Sequence, residues 1–208
     1  RGPANPPAPP ATGLGADPGL TRCGIGVITG PASRPVLVDA ICVRTPPGLP
    51  HEQRLLAVHD AVAAAIDRHR PDAVAVERVL FSVNVRTAMP TGQAAGVALL
   101  AAARAGLTVH PYSPNEIKLT VTGSGTADKR AVGRMVAAQL RVATIPGPPD
   151  VADALAVALT HLARSRVSAL TAATPAATAL VEAAASADRA RRGGWEAVLA
   201  DRARRTGT

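Results

Sequence analysis

Aromatic side chains are almost absent: Phe81, Tyr112 and Trp195 are the only Phe, Tyr or Trp among 208 residues. The core must therefore be assembled from Val, Leu, Ile and Ala, and an aromatic outside it becomes conspicuous. Cysteine is just as scarce. Cys23 and Cys42 are too few for a disulfide framework or a four-cysteine zinc site, and no secretory apolar segment precedes them, so a reducing cytoplasm is the simplest setting. Both read as small buried hydrophobes. The longest apolar run, residues 94–103, stops at Arg104, well short of the roughly 20 residues that cross a bilayer, and no membrane passage is expected. Lysine is the last shortage: Lys118 and Lys129 are the only two, every other basic chain of that class being arginine.

Positive charge, by contrast, is plentiful. A formal net charge of +8 favours a polyanionic partner without identifying it. The length suits one domain with flanking segments. Residues 1–13 are rich in Pro and Ala without periodicity and read as a disordered extension. Residues 14–166 form the expected domain. Residues 167–208 turn to Ala, Thr and Ser, finish in Arg189, Arg191, Arg192, Arg202, Arg204 and Arg205, and read as a partly disordered tail.

Within the domain, Gly and Pro punctuate short apolar runs and longer helical ones. Residues 14–17, 24–29 and 36–44 are expected as three consecutive strands. A helix over 51–69 stops before Pro71, and a strand follows over 73–77. A helix over 91–104, a strand over 107–112 and helices over 114–121, 129–140 and 150–164 complete the domain. Three strands followed by alternating helix and strand predict an α/β fold, a five-stranded mixed sheet flanked by helices.

Four acids stand out by where these elements put them. Asp17 ends the first strand before a Pro-Gly turn, and Glu77 ends the run DAVAVE. Asp150 and Asp153 open the last helix, about 60° apart around its axis beside an apolar stripe. Singly, each has an ordinary explanation in turn chemistry, a solvated strand end or a stabilised helix N-terminus. Together they can converge on one point, where four carboxylates repel one another unless cations neutralise them. Oxygen ligands without His or Cys suit Mg²⁺ or Mn²⁺. Two such ions about 3.5–4 Å apart serve in-line displacement at phosphorus, so the implied chemistry is hydrolysis of a phosphodiester.

The segments LGADPGLTRCGIGVI, AVERVLFSVNVRTAM, GQAAGVALLAAARAGLTV, YSPNEIKLTVTGSGTADKRAV and DVADALAVALTH together resemble the RuvC family over nearly all of residues 14–164. That resemblance implies an RNase H-like fold and a Holliday junction resolvase with metal-binding and catalytic carboxylates at Asp17, Glu77, Asp150 and Asp153. It further implies two Mg²⁺ per active site with Mn²⁺ as a substitute. The expected partners are four-way junction DNA, nicked symmetrically on two opposed strands, a second copy in a homodimer, and a branch-migration complex of RuvA and RuvB. Lys118 and Lys129 match basic positions near the DNA backbone, with Arg86 and Arg130 as weaker phosphate contacts. Relatives commonly carry Phe three residues after the catalytic Glu, as a stacking platform for an unpaired base. Here Leu80 holds that position, and Phe81 beside it inherits the expected role.

Other readings of the same residues are a junction-binding protein without catalysis, another RNase H-like nuclease such as the YqgF group, and an ATPase of the actin-like kind, whose second glycine-rich phosphate loop is missing. His161 reads as a helix-surface group. Gly92, Ala95, Gly96 and Ala103 permit close helix packing, in the core or between two copies.

Overall fold

In the computed structural model the structure describes residues 11–78 and 85–172, with side chains over 11–78 and 88–165. Strands β1 (Thr12–Asp17), β2 (Arg22–Thr29) and β3 (Val36–Arg44) form an antiparallel meander, followed by α1 (His51–His69), β4 (Ala73–Glu77), α2 (Val85–Arg104) and β5 (Thr108–Tyr112). Helices α3 (Pro114–Thr122), α4 (Lys129–Leu140) and α5 (Pro149–Ala172) complete the order. The strands stand in the order β3-β2-β1-β4-β5, with β4 parallel to both β1 and β5. This is the expected five-stranded mixed sheet flanked by helices. Residues Arg1–Arg164 make one compact unit and Ser165–Thr208 a second; the sheet and everything below belong to the first.

Side-chain alternation divides the sheet into two packed faces. Leu14, Ala16, Cys23, Ile25, Val27, Val74 and Val76 pack on one face with Val58, Val62 and Ile66 of α1 and Ala98 and Ala102 of α2. Ala75 and Tyr112 face the other way, against Ile117 of α3, Val132 and Val136 of α4 and Leu155 and Leu159 of α5. Aliphatic and alanine side chains thus build both halves of the core. Cys23 is buried as expected, whereas Cys42 is only partly so.

Several boundaries differ from expectation. The first strand starts at Thr12, inside the stretch read as an extension, because Thr12 pairs with Thr29 and its N–H donates to Asp72 Oδ2 at 2.7 Å. Helix α2 begins at Val85, six residues early, and carries Pro90 in its interior. The last helix continues to Ala172. His161 is half-buried rather than a plain surface group: its Nδ1 lies 3.0 Å from Tyr112 Oη, its ring lies tilted against His110 at 4.3 Å, and burial pushes its pKa down to about 4.

Candidate active site

The two strand acids reach one place because β1 and β4 are parallel. Asp17 and Glu77 are the residues that follow the paired Ala16 and Val76. Each lies two residues from a neighbour on the α5 side of the sheet, Gly15 and Ala75, so the period of two sends both carboxylates to that face.

The helix acids arrive by an unusually close approach of α5 to the sheet. Gly15 and Gly26 are directly paired across β1 and β2, and Gly24 pairs with Asp17. A Cβ on Gly24 would stand 1.9 Å from the carbonyl oxygen of Asp150, one on Gly15 2.1 Å from that of Ala154, and one on Gly26 2.7 Å from Leu155 Cδ2. No side chain fits between this floor and the helix. The first turns of α5 therefore lie on bare backbone, and Asp150 and Asp153 are brought to Asp17.

Two capped helices supply the cations. Ser113 and Glu116 form a reciprocal capping box that starts α3 immediately after β5, and Arg164 pairs with the same Glu116 carboxylate. Asp128 caps α4 by accepting from Ala131 N–H at 2.7 Å, which puts Lys129 at the first helical position. Asp17, Glu77, Asp153, Lys118 and Lys129 then line one cavity of about 260 Å³, closed by Pro114, Ile117, Val132 and Ala156. Both lysines of the chain open on it.

Every carboxylate here has its charge met by the protein. Burial, and then the negative charge of Glu77 and Asp153, push the Asp17 pKa up to about 8, so its carboxyl holds a proton and shares it with Glu77. Glu77 is raised as well, by burial, while Lys129 and Lys118 oppose that rise. Lys129 Nζ donates to Asp153 Oδ2 at 3.0 Å. Arg22 Nε lies 3.0 Å from Asp150 Oδ2, yet that oxygen is buried without a hydrogen bond; the pair meets the distance of an ion pair and not the angle of a hydrogen bond. Asp150 turns toward a second cavity of about 360 Å³, lined by Gly19, Leu20, Thr21, Arg22, Pro90 and Thr91.

Among the described residues no three His, Cys, Asp or Glu side chains are drawn tightly around one point as a finished metal shell. The donor set nevertheless fits a hard divalent cation. It is all oxygen, it holds an orphaned buried carboxylate oxygen, and it must borrow a proton and two cationic side chains to offset its own repulsion. Of the expected DNA contacts, Arg130 lines a neighbouring cavity of about 450 Å³ with Arg134 and Lys129. Phe81, and the side chain of Arg86, lie outside the described residues. Arg22, Arg134 and the glycine floor were missed in the sequence. The floor had a signal, Gly at alternate positions on two adjacent strands, while Arg22 and Arg134 had none.

The family model described as "Crossover junction endodeoxyribonuclease RuvC" matches residues 13–161. A protein of that name from Frankia alni is 56% identical over 166 residues, covering 79% of this chain and 84% of the relative. Another, from Salinispora arenicola, is 49% identical over 186 residues, covering 87% and 97%. Thermus thermophilus RuvC in complex with a Holliday junction substrate superposes with a TM-score of 0.73 at 37% identity, covering 76% of this chain and 96% of that one. Ydc2, the yeast mitochondrial Holliday junction resolvase, shares the fold with a TM-score of 0.54 at 11% identity.

Proposed function

The chain belongs to the RuvC family of crossover junction endodeoxyribonucleases, and from that we propose that Asp17, Glu77, Asp150 and Asp153 are its catalytic, cation-holding carboxylates. It is a Holliday junction resolvase of the RNase H-like fold, a nuclease acting on crossover junctions. The observation that carries the site assignment is the single cavity shared by Asp17, Glu77, Asp153 and both lysines.

The four carboxylates would hold two Mg²⁺ ions, with Mn²⁺ as a substitute. When bound, such ions supply counter-charge to the scissile phosphate and to the departing oxygen of an in-line displacement. The protein's own part begins with charge exchange. Asp17 gives up its shared proton, and Lys129 is free to turn from Asp153 to the incoming phosphate. Lys118 lines the same cavity and draws the same strand in, while Arg130 and Arg134 take phosphates further along it. Arg86, in the first turn of α2, and Phe81, ahead of it in the sequence, are proposed to meet the backbone and an unpaired base at the crossover.

A two-fold junction calls for two sites, and α2 supports a homodimer. Met89, Gly92, Gly96, Leu99 and Ala103 recur at alternating spacings of three and four along it, a helix-pairing seam. Met89 is 59%, Leu99 42% and Leu100 53% exposed, and a Cβ at Gly92 or Gly96 would meet nothing within 4 Å. This seam has no partner within the described chain. Work beside RuvA and RuvB in the cytoplasm completes the proposal; among the described residues no helix is long and apolar enough to cross a membrane.

Incubation with a four-way junction and Mg²⁺ should give paired nicks, and linear duplex should not be cut. Asp17→Asn, Glu77→Gln, Asp150→Asn and Asp153→Asn should each lower cleavage by at least about a hundredfold, the scale of a lost catalytic group, with junction binding kept. Cleavage surviving in any two of them refutes the assignment.

A further inference from the structure

Arg22 sits at the first position of β2 and lines the 360 Å³ cavity together with Asp150. Asp150 Oδ2, at 3.0 Å from Arg22 Nε, has no other partner and no solvent, so the contact supplies charge without a hydrogen bond. A divalent cation held by that oxygen would compete with the guanidinium, since both are positive and both would need the same carboxylate.

Resting on the four-carboxylate reading above, we propose that Arg22 is a stand-in cation. It neutralises Asp150 while no metal is bound, yields that carboxylate when the metal arrives, and then turns into the neighbouring cavity to hold a phosphate of the DNA strand. Three features make the exchange feasible. The side chain is 55% exposed, so it can swing without disturbing the core. The cavity beside it is roomy enough for a phosphate and carries no acid except Asp150 itself. Arg54 Nη2 donates to Thr21 Oγ1 at 3.0 Å and so holds one of the residues that line this cavity. A phosphate in this cavity would be met by a forked donor of the kind that binds it in two places.

The proposal separates from a purely structural role by the sign of its effect. Were Arg22 only a clamp holding α5 to β2, its removal would loosen Asp150 and weaken metal binding. As a competitor for Asp150, its removal must tighten it.

The test uses the full chain and Mn²⁺ alone as probe, titrated by electron paramagnetic resonance of the free ion. Arg22→Gln should bind Mn²⁺ about fivefold more tightly than wild type, the equivalent of ~1 kcal/mol, and Arg22→Lys should remain near wild type. Junction binding is then measured against salt in a Glu77→Gln background, which by the reading above binds without cutting. Adding Arg22→Gln there should reduce the log–log salt slope by about one, the loss of one phosphate contact. Unchanged or weaker Mn²⁺ binding in Arg22→Gln, or an unchanged salt slope, overturns the proposal while leaving the four-carboxylate reading intact. Wild-type Mn²⁺ binding in Asp150→Asn overturns that reading, and this proposal with it.

Discussion

Asp17 bears the heaviest electrostatic load of any described carboxylate, and that load is visible in stability before it is visible in catalysis. Its carboxyl is ordinarily half-ionised near pH 3.8 and is pushed up to about 8 in the folded chain. Between those values the folded protein keeps a proton that the unfolded chain has released, so the metal-free protein loses stability as pH rises through that window. Asp17→Asn, neutral at every pH, should therefore melt with a shallower pH dependence in EDTA and exceed wild type at pH 8.5 by about 2 kcal/mol, the cost of a buried unmatched charge. Saturating Mg²⁺ should erase that advantage. Thermal melts across pH with and without chelator check both halves, and a wild type as stable as the variant in alkaline EDTA contradicts the charge account. At this scale the sequence was legible where a residue's chemistry is carried by a motif. All four acids and both lysines were named from it, and Asp17, Glu77, Asp153 and the lysines share a cavity. It was illegible for Arg22, one of many arginines, whose significance depends on how near α5 comes.

That nearness belongs to the elements. Strands β1 and β2 offer α5 a surface of backbone alone, and the helix end descends until its own carbonyls touch it. Gly24→Ala must push the Asp150 turn outward, since the added carbon has a peptide oxygen and not a flexible side chain to meet. An overpacking cost of about 1–3 kcal/mol is expected, together with a loss of Mg²⁺-dependent cleavage larger than the loss of stability explains. Comparing denaturant midpoints with single-turnover rates separates the two; a variant that is destabilised but fully active would mean that the floor does not set the position of the acids. Element boundaries were legible where capping or breaker chemistry marks them, as for α1 between Pro50 and Pro71 or α4 after Asp128. They were misjudged at α2, expected to start at residue 91, where Pro90 instead lies inside the helix. Propensity there gives way to packing, in which Ala98 and Ala102 join the core on one face of the sheet. The glycine pattern was visible in the chain but reads as a loop signature until β1 and β2 are paired.

For the whole molecule, a net charge of +8 and a helical seam without a partner among the described residues point outward, toward DNA and toward a second copy. Leu100→Glu places a charge beside that seam at a position already exposed, so folding should be retained while association is lost. Sedimentation should find wild type as a dimer and the variant as a monomer that no longer makes coordinated cuts in a junction; a monomeric wild type would remove the seam from the account. The mixed sheet itself was legible from element order alone, because three sequential strands followed by crossover helices leave few topologies open. The exposure of the α2 seam was not, since small residues on a helix serve a core or an interface equally well.

The scarcity of ε-amino groups has a practical consequence for chemistry done on this protein. In most chains an amine-acylating reagent scatters over the surface, but here its side-chain targets are Lys118 and Lys129, and both open on the same hollow. An otherwise indiscriminate tag becomes an address label for the proposed site of cleavage, and its slow uptake reports who is already sitting there.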